Sequence, residues 1–163
     1  MKKVFFGLIG LMIAFNAVAE DRKLASPDGR IEVTVSDSDG TPDYSVTYDG
    51  NVFILPSPLG LNTSMGEYMS GMTMLPEKEA PRLIEEQYSL KTIKQSQVDY
   101  KAVEAVFTFA QNERPVYDVI FRVSDRDVAF RYRLYPRRNK LSCVIFSEAT
   151  GFRLPQTATT FLC

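Results

Sequence analysis

The sequence predicts an all-β protein made of antiparallel strands, with the architecture of a sandwich or a barrel. Apolar and polar residues alternate along most of the chain after residue 30, and turn-forming residues separate the alternating segments at short intervals. This pattern is typical of half-buried strands joined by tight turns. No long segment outside the N-terminus shows the 3.6-residue period of an amphipathic helix. The composition, with 45% hydrophobic and 24% charged residues among 163, is that of a globular domain.

The first half of the predicted domain forms hairpins. The turn-rich stretch DSDGTPD at 37–43 separates two alternating segments and is interpreted as a hairpin loop. Asp49-Gly50 is a strong two-residue turn signal between the second segment and the third. The predicted strands lie at 31–36, 44–48 and 51–55.

The second half returns to strands after an irregular stretch. Residues 62–81 contain glycines, prolines and four methionines, and we expect a long loop or a short helix there. Asn112-Glu113 and Ser124-Asp125 are predicted to be tight turns. The remaining strands are predicted at 87–96, 102–110, 115–124, 127–135 and 141–147.

Residues 1–19 have the pattern of a secretory signal peptide, which leaves 20–163 as one domain. Lys2 and Lys3 precede an apolar run from residue 4 to residue 15, and Ala17 and Ala19 supply the small residues of a cleavage site. The run is shorter than the roughly 20 apolar residues that span a bilayer. We therefore expect a periplasmic or secreted protein with no membrane segment after cleavage; a retained anchor is the alternative.

Charge and composition exclude several functions. Loss of Lys2 and Lys3 leaves 17 of the 19 basic residues against 20 acidic ones, and this net negative charge argues against nucleic-acid binding. The chain has no histidine, which removes the Ser-His-Asp and Cys-His nucleophile systems. Export permits a disulfide between Cys143 and Cys163, but Cys163 is the last residue, where chains fray, and the apolar run around Cys143 favours a free, buried side chain.

Acidic residues offer two further candidate sites. Asp37, Asp39 and Asp43 with Gly40 loosely suggest a calcium loop, but the spacing lacks the full ligand series and favours a hairpin loop. The acidic pairs Glu85-Glu86 and Asp125/Asp127 fall at predicted turns or strand ends, where solvated carboxylates are common. We therefore predict no catalytic or metal-binding residue in this chain.

The segment VAFRYRL at 128–134 and the tyrosine after it suggest a candidate binding surface. Phe130 and its alternate neighbours are predicted to face the core, whereas Arg131, Arg133 and Tyr135 are predicted to face outward. Arginine and tyrosine in a row are able to bind the hydroxyls and ring faces of a carbohydrate. A half-buried strand also needs a polar outer face, so a hydrated or partner-facing surface is the alternative.

Three segments in order resemble the N-terminal domain of glycoside hydrolase family 97. They are residues 26–61, 116–136 and 147–155, which contain the motifs Ser26-Pro27-Asp28-Gly29, Pro58-Leu59-Gly60-Leu61 and Phe130-Arg131-Tyr132. The resemblance implies a galactose-mutarotase-like β-sandwich in front of a catalytic (β/α)8 barrel, in periplasmic α-glucosidases and α-galactosidases that use calcium at the active site. It implies no catalytic residue, metal ligand or cofactor in this chain. It also implies that the sandwich is incomplete, with unpaired strand edges.

Three hypotheses about function follow. The first is a non-catalytic N-terminal domain of a secreted glycoside hydrolase that packs on a catalytic barrel and contacts carbohydrate, with no hydrolysis of O-glycosyl bonds by this chain alone. The second is a free-standing secreted carbohydrate-binding module. The third is a structural β-protein unrelated to sugars. Mutarotase activity is excluded because those epimerases use histidine.

Overall fold

The computed structural model describes residues 21–91, 97–137 and 142–159, and most of this part of the chain is strand. The antiparallel strands within it are β1 (Arg22–Ala25), β2 (Ile31–Ser36), β3 (Asp43–Tyr48), β4 (Asn51–Pro58), β5 (Leu61–Thr63), β6 (Gly66–Tyr68), β7 (Met72–Met74), β8 (Arg82–Ser89), β9 (Gln97–Gln111), β10 (Arg114–Ser124), β11 (Val128–Leu134) and β12 (Ile145–Glu148). The all-β prediction is confirmed. The predicted signal peptide lies outside the described residues. Among those that are described, no helix has the length and hydropathy of a membrane span.

One sheet has the order β1-β2-β3-β4 and consists of successive hairpins. The predicted loop at 37–43 is confirmed, with a short 3-10 turn at Ser38–Gly40. Asp49 and Gly50 connect β3 to β4 with φ of 48° and 77°. Both residues are left-handed, as a two-residue hairpin turn of type I′ requires.

A second sheet has the order β11-β10-β9-β7, and β8 also pairs with β9. Because β9 is 15 residues long, its N-terminal half pairs with β8 and its C-terminal end pairs with β7. The predicted turn at Asn112-Glu113 is confirmed, since both residues have positive φ. A third, small sheet has the order β12-β5-β6.

Predictions for two elements are wrong, and the strand predicted at 141–147 is shorter, because β12 begins at Ile145. The stretch 62–81 is neither a long loop nor a helix, because it contains most of β5 and all of β6 and β7. These strands are three residues each, too short to show an alternating pattern. The strand predicted at 87–96 begins earlier, at Arg82, and β8 ends at Ser89; residues 92–96 lie outside the described residues.

The core lies between the two larger sheets. Val33 and Val35 of β2 face Phe107 and Phe121 of the second sheet, and all four side chains are fully buried. Tyr44 joins the sheets through ring contacts, with centroids 5.8 Å from Phe121 and 5.4 Å from Phe130. Burial of each such side chain contributes roughly 1.5–3 kcal/mol. The prediction that Phe130, Tyr132 and Leu134 face the core is also confirmed, since all three pack against it.

Candidate functional site

The outer face of the second sheet, which points away from the core, carries charged residues in rows that the strand register sets. Across β11, β10 and β9, the rows are Ala129, Arg122 and Glu104; Arg131, Ile120 and Val106; and Arg133, Asp118 and Thr108. In the two outer rows an arginine is next to a carboxylate. In the middle row Arg131 is next to an isoleucine and has no acidic neighbour.

Asp118 is the centre of one row and is fully buried. Thr108 Oγ1 and Tyr135 Oη donate to its Oδ1 at 2.7 and 3.1 Å, and Arg133 Nε donates to its Oδ2 at 2.8 Å. A buried carboxylate needs such donors, since an unpaired charge in the interior is very costly. The hydrogen bond and the charge of Asp118 raise the pKa of Arg133, so this guanidinium stays cationic.

Glu104 is the centre of another row and is 3% exposed. Arg82 donates to its Oε1 through Nε and Nη2, at 3.0 and 2.5 Å, and Arg122 Nε donates to its Oε2 at 2.6 Å. Burial raises the pKa of Glu104, but the hydrogen bonds from Arg122 and Arg82 outweigh burial and lower the pKa below its ordinary value. One carboxylate is therefore shared by two guanidinium groups.

Between these two clusters lies a cavity of about 230 Å³, which we call the arginine groove. Arg131, Arg133 and Tyr135 all line it, so the structure brings the sequence-predicted residues together. Two of them are already engaged, because Arg133 and Tyr135 bind Asp118. Arg131 has no ion pair with any described residue.

Sequence reasoning missed the two carboxylates that organise this face. Their signal was present: Glu104 lies within the run AVEAVF at 102–107 and Asp118 within the run PVYDVIF at 115–121, each as the one charged residue of its run. A charge in such a run is buried on the sheet and needs a partner on the neighbouring strand. The identity of that partner depends on strand register, which the sequence does not specify.

Several of the other acidic residues considered as site candidates have hydrogen-bond or ion-pair partners elsewhere in the domain. Glu85 pairs with Lys101 at 3.2 Å and Glu86 with Arg122 at 3.3 Å. Asp125 Oδ1 accepts a hydrogen bond from the backbone N–H of Asp28, and Asp37 Oδ2 accepts one from Met74. Within the described ranges, no group of three or more Asp, Glu, Cys or His side chains is placed to hold a metal ion.

A second candidate surface is apolar. On the side of the sandwich where β4 and β11 end their sheets, Val52 and Phe53 are 52% and 59% exposed, and Phe152 is 65% exposed. A cavity of about 530 Å³ opens between Phe53 and Val128. We call this side, formed by β4, β11 and Phe152, the open edge.

The sequence of residues 24–163 matches the model of the glycosyl-hydrolase 97 N-terminal family. The chain belongs to this family. The resemblance of the three ordered segments is therefore confirmed, together with the antiparallel sandwich that it implied.

Known proteins similar to this N-terminal domain are much longer than it is. A probable retaining α-galactosidase from Streptomyces bingchenggensis is 29% identical over 138 residues, which are 85% of this chain and 20% of that protein. The crystal structure of a β-arabinopyranosidase superposes with a TM-score of 0.81 at 36% identity, over 88% of this chain and 23% of that one. A family 97 enzyme from Pseudoalteromonas sp. strain K8, solved with panose and with acarbose, gives a TM-score of 0.72 at 25% identity over 83% of this chain and 20% of its own. The chain thus spans about a fifth of the length of these relatives.

The motifs that carried the resemblance have structural roles in this family 97 domain. The backbone N–H of Gly60, in the second motif, donates to Tyr132 Oη of the third at 2.9 Å. Tyr132 Oη also lies 2.8 Å from Thr150 Oγ1, so all three resembling segments meet at this phenol. A Cβ at Gly60 would lie 2.7 Å from the carbonyl oxygen of Tyr68. The motif residues therefore position the strands rather than a reacting group.

Proposed function

We propose that this chain is the non-catalytic N-terminal β-sandwich domain of an exported glycoside hydrolase, and that it packs on a catalytic (β/α)8 barrel. The observation that carries the proposal is the family match over residues 24–163, in a chain that covers only 20% of a probable α-galactosidase. The sugar chemistry of such an enzyme therefore resides in the part of it that this domain does not match.

The open edge supports the packing part of the proposal. Exposed Phe53 lines the cavity at this edge, and exposed Phe152 precedes Arg153, which pairs with Leu55 of β4. Exposed apolar patches of this kind mark interaction sites. Among the strands that the structure describes, β11 also lies at the end of its sheet, and such edges bind further strands or are covered by other elements. We propose that the remainder of the enzyme covers this edge.

The names of the related enzymes support a broad class of glycoside substrates. A probable α-galactosidase and an enzyme solved with panose and acarbose support an α-glucosidase or α-galactosidase type. The β-arabinopyranosidase, which is 36% identical, supports a pentopyranoside specificity as well. The calcium ion of the full-length family belongs to the catalytic site of the enzyme in this proposal, and export rests on the signal-peptide pattern of residues 1–19.

An activity assay tests the proposal. We expect the purified full chain to release no nitrophenol from nitrophenyl α-glucosides, α-galactosides or β-arabinopyranosides. Turnover that a single carboxylate substitution, such as Asp127→Asn, abolishes would overturn the non-catalytic assignment. Genomic DNA downstream of codon 163 provides an independent check, since a barrel-encoding sequence there supports the proposal directly.

The arginine groove favours a second candidate function, a free-standing carbohydrate-binding module. Arg131 and Tyr135 line the groove and supply a planar donor group and a ring face. This function predicts saturable binding of malto- or galacto-oligosaccharides, weakened by Arg131→Ala. Calorimetry that shows no heat of binding at millimolar oligosaccharide removes it. Tyr135→Ala is the less selective variant, because it also removes a donor from Asp118.

A further inference from the structure

We infer that the arginine groove binds an acidic sugar, with the guanidinium of Arg131 holding the sugar carboxylate. This inference deepens the second candidate function, carbohydrate binding in the arginine groove, and rests on it.

The arginine groove has an excess of positive charge. Four cationic side chains line it, Lys78, Arg82, Arg131 and Arg133, against the two carboxylates of Glu79 and Glu104. Asp118 lies beneath the lining and is saturated by Arg133, Tyr135 and Thr108. Arg122 donates to both Glu104 and Glu86, so with these groups included five local bases face four local acids and one positive charge is left over.

Arg131 lies next to an apolar side chain on the neighbouring strand. Its cross-strand neighbour is Ile120, which in turn pairs with Val106, and none of the described residues forms an ion pair with it. A planar guanidinium matches a carboxylate with two parallel hydrogen bonds, so an anionic ligand complements this position.

The floor of the groove is apolar, and one wall is aromatic. Ile120 and Val106 provide an apolar floor, and Tyr135 provides a ring beside it, with Lys78 Nζ 5.5 Å from the ring centroid. The C–H face of a pyranose ring fits such an apolar surface, which a bare inorganic anion does not need. The cavity of about 230 Å³ is smaller than the roughly 300–1,000 Å³ of sites for drug-sized ligands, so it suits one sugar ring.

Galacturonate and galactose are the matched pair of probes, because they differ only in the carboxylate. We expect saturation-transfer NMR on the full chain at low salt to detect galacturonate binding and to detect galactose at least tenfold more weakly. Arg131→Ala should weaken galacturonate binding about tenfold or more, and Arg131→Lys, which keeps the charge but not the fork, should weaken it less. Arg114→Ala, at the exposed start of β10 and outside the groove, should leave it unchanged.

Each contrary outcome has a distinct meaning. Equal binding of galactose and galacturonate overturns the acidic-sugar inference but keeps a carbohydrate contact. Displacement of galacturonate by an equal concentration of inorganic phosphate shows that the groove recognises charge alone and also overturns it. Binding of neither sugar, with a native thermal melt, overturns it while leaving the non-catalytic domain assignment intact.

Discussion

Glu104 is a buried acid on the outer face of a sheet, where polar residues are normally solvated. It is kept charged by Arg82 and Arg122, on the two strands that flank β9. Its carboxylate therefore ties β8, β9 and β10 together across the face. A charge pair of this kind stabilises the sheet only while both partners are present, because removal of one leaves an uncompensated charge.

Glu104→Gln tests this arrangement. The amide cannot accept from two guanidinium groups as a carboxylate does, so we expect the free energy of unfolding to fall by about 2 kcal/mol. Glu85→Gln is the matched control on the neighbouring strand β8. Its pair with Lys101 is exposed, and surface pairs contribute roughly 0–1 kcal/mol. Urea denaturation of the two variants measures the difference; equal losses would contradict the role of Glu104.

The same residue predicts an acid dependence of stability. The folded-state pKa of Glu104 lies below its ordinary value of 4.5. The ionised form is therefore favoured by folding, and the associated stability is present above pH 4.5 and lost as pH falls through the folded-state pKa. Below pH 4.5 the unfolding free energy of the native chain should fall more steeply with pH than that of Glu104→Gln. Parallel curves would contradict this assignment.

Tyr117 is a buried residue whose substitution is expected not to lower the free energy of unfolding. Its side chain is fully buried, its hydroxyl has no hydrogen-bond partner among the described residues, and burial raises its pKa. Because an unpaired buried hydroxyl costs free energy, Tyr117→Phe should be neutral or should stabilise the domain by about 1 kcal/mol. A loss of 1 kcal/mol in a denaturation experiment would show that the hydroxyl has a partner and would refute the prediction.

The candidate site was partly predictable from sequence. Alternation in the segment at 128–134 places Arg131 and Arg133 on the outer face, because period 2 decides which side each residue takes. The same pattern does not reveal that Arg133 meets Asp118 whereas Arg131 meets Ile120. That difference arises from the register of β10 against β11, a long-range property, and it determines which arginine is available to a ligand.

At the scale of elements, the loop between β4 and β5 depends on one glycine. Gly60 has φ of +143°, and a Cβ there would clash with the backbone oxygen of Tyr68. We expect Gly60→Ala to cost about 2 kcal/mol or more, since backbone strain of this kind costs roughly 1–3 kcal/mol before any clash is relieved. The loop also holds Leu59 and Leu61 in buried positions, so misplacement affects packing as well.

Gly50→Asn is the matched control for that substitution. Gly50 has φ of +77° in the turn between β3 and β4, and a Cβ there meets no atom within 4 Å. Asparagine tolerates the left-handed region, so the loss should stay below about 1 kcal/mol. Thermal or urea denaturation ranks the two variants, and an equal or larger loss for Gly50→Asn would contradict the structural role of Gly60.

Most of the strands that the sequence predicted correctly are long enough to show a period. β2, β3, β10 and β11 each contain six or more residues, and alternation identified all of them. β5, β6 and β7 contain three residues each and form because a partner strand holds them. Their sequences are LNT, GEY and MTM, and Asn, Gly and Glu are depleted in strands.

At the scale of the whole molecule, burial is uneven. The centre of the sandwich contains fully buried aromatic rings, whereas Phe53 and Phe152 at the open edge remain mostly exposed. Cys143 is half-buried, and Cys163 lies outside the described residues, so a bridge between them stays one of two alternatives.

The central claim is that the open edge is an interaction surface, and sedimentation velocity of the purified full chain tests it most directly. We predict that the chain alone self-associates in a concentration-dependent manner, because unpaired edges and exposed apolar faces bind one another. Phe53→Ser should shift it toward monomer. Tyr88→Ser, which removes an exposed ring from β8 outside that edge, should not. A native chain that sediments as a monomer at all concentrations and melts in one sharp, reversible transition would contradict the claim.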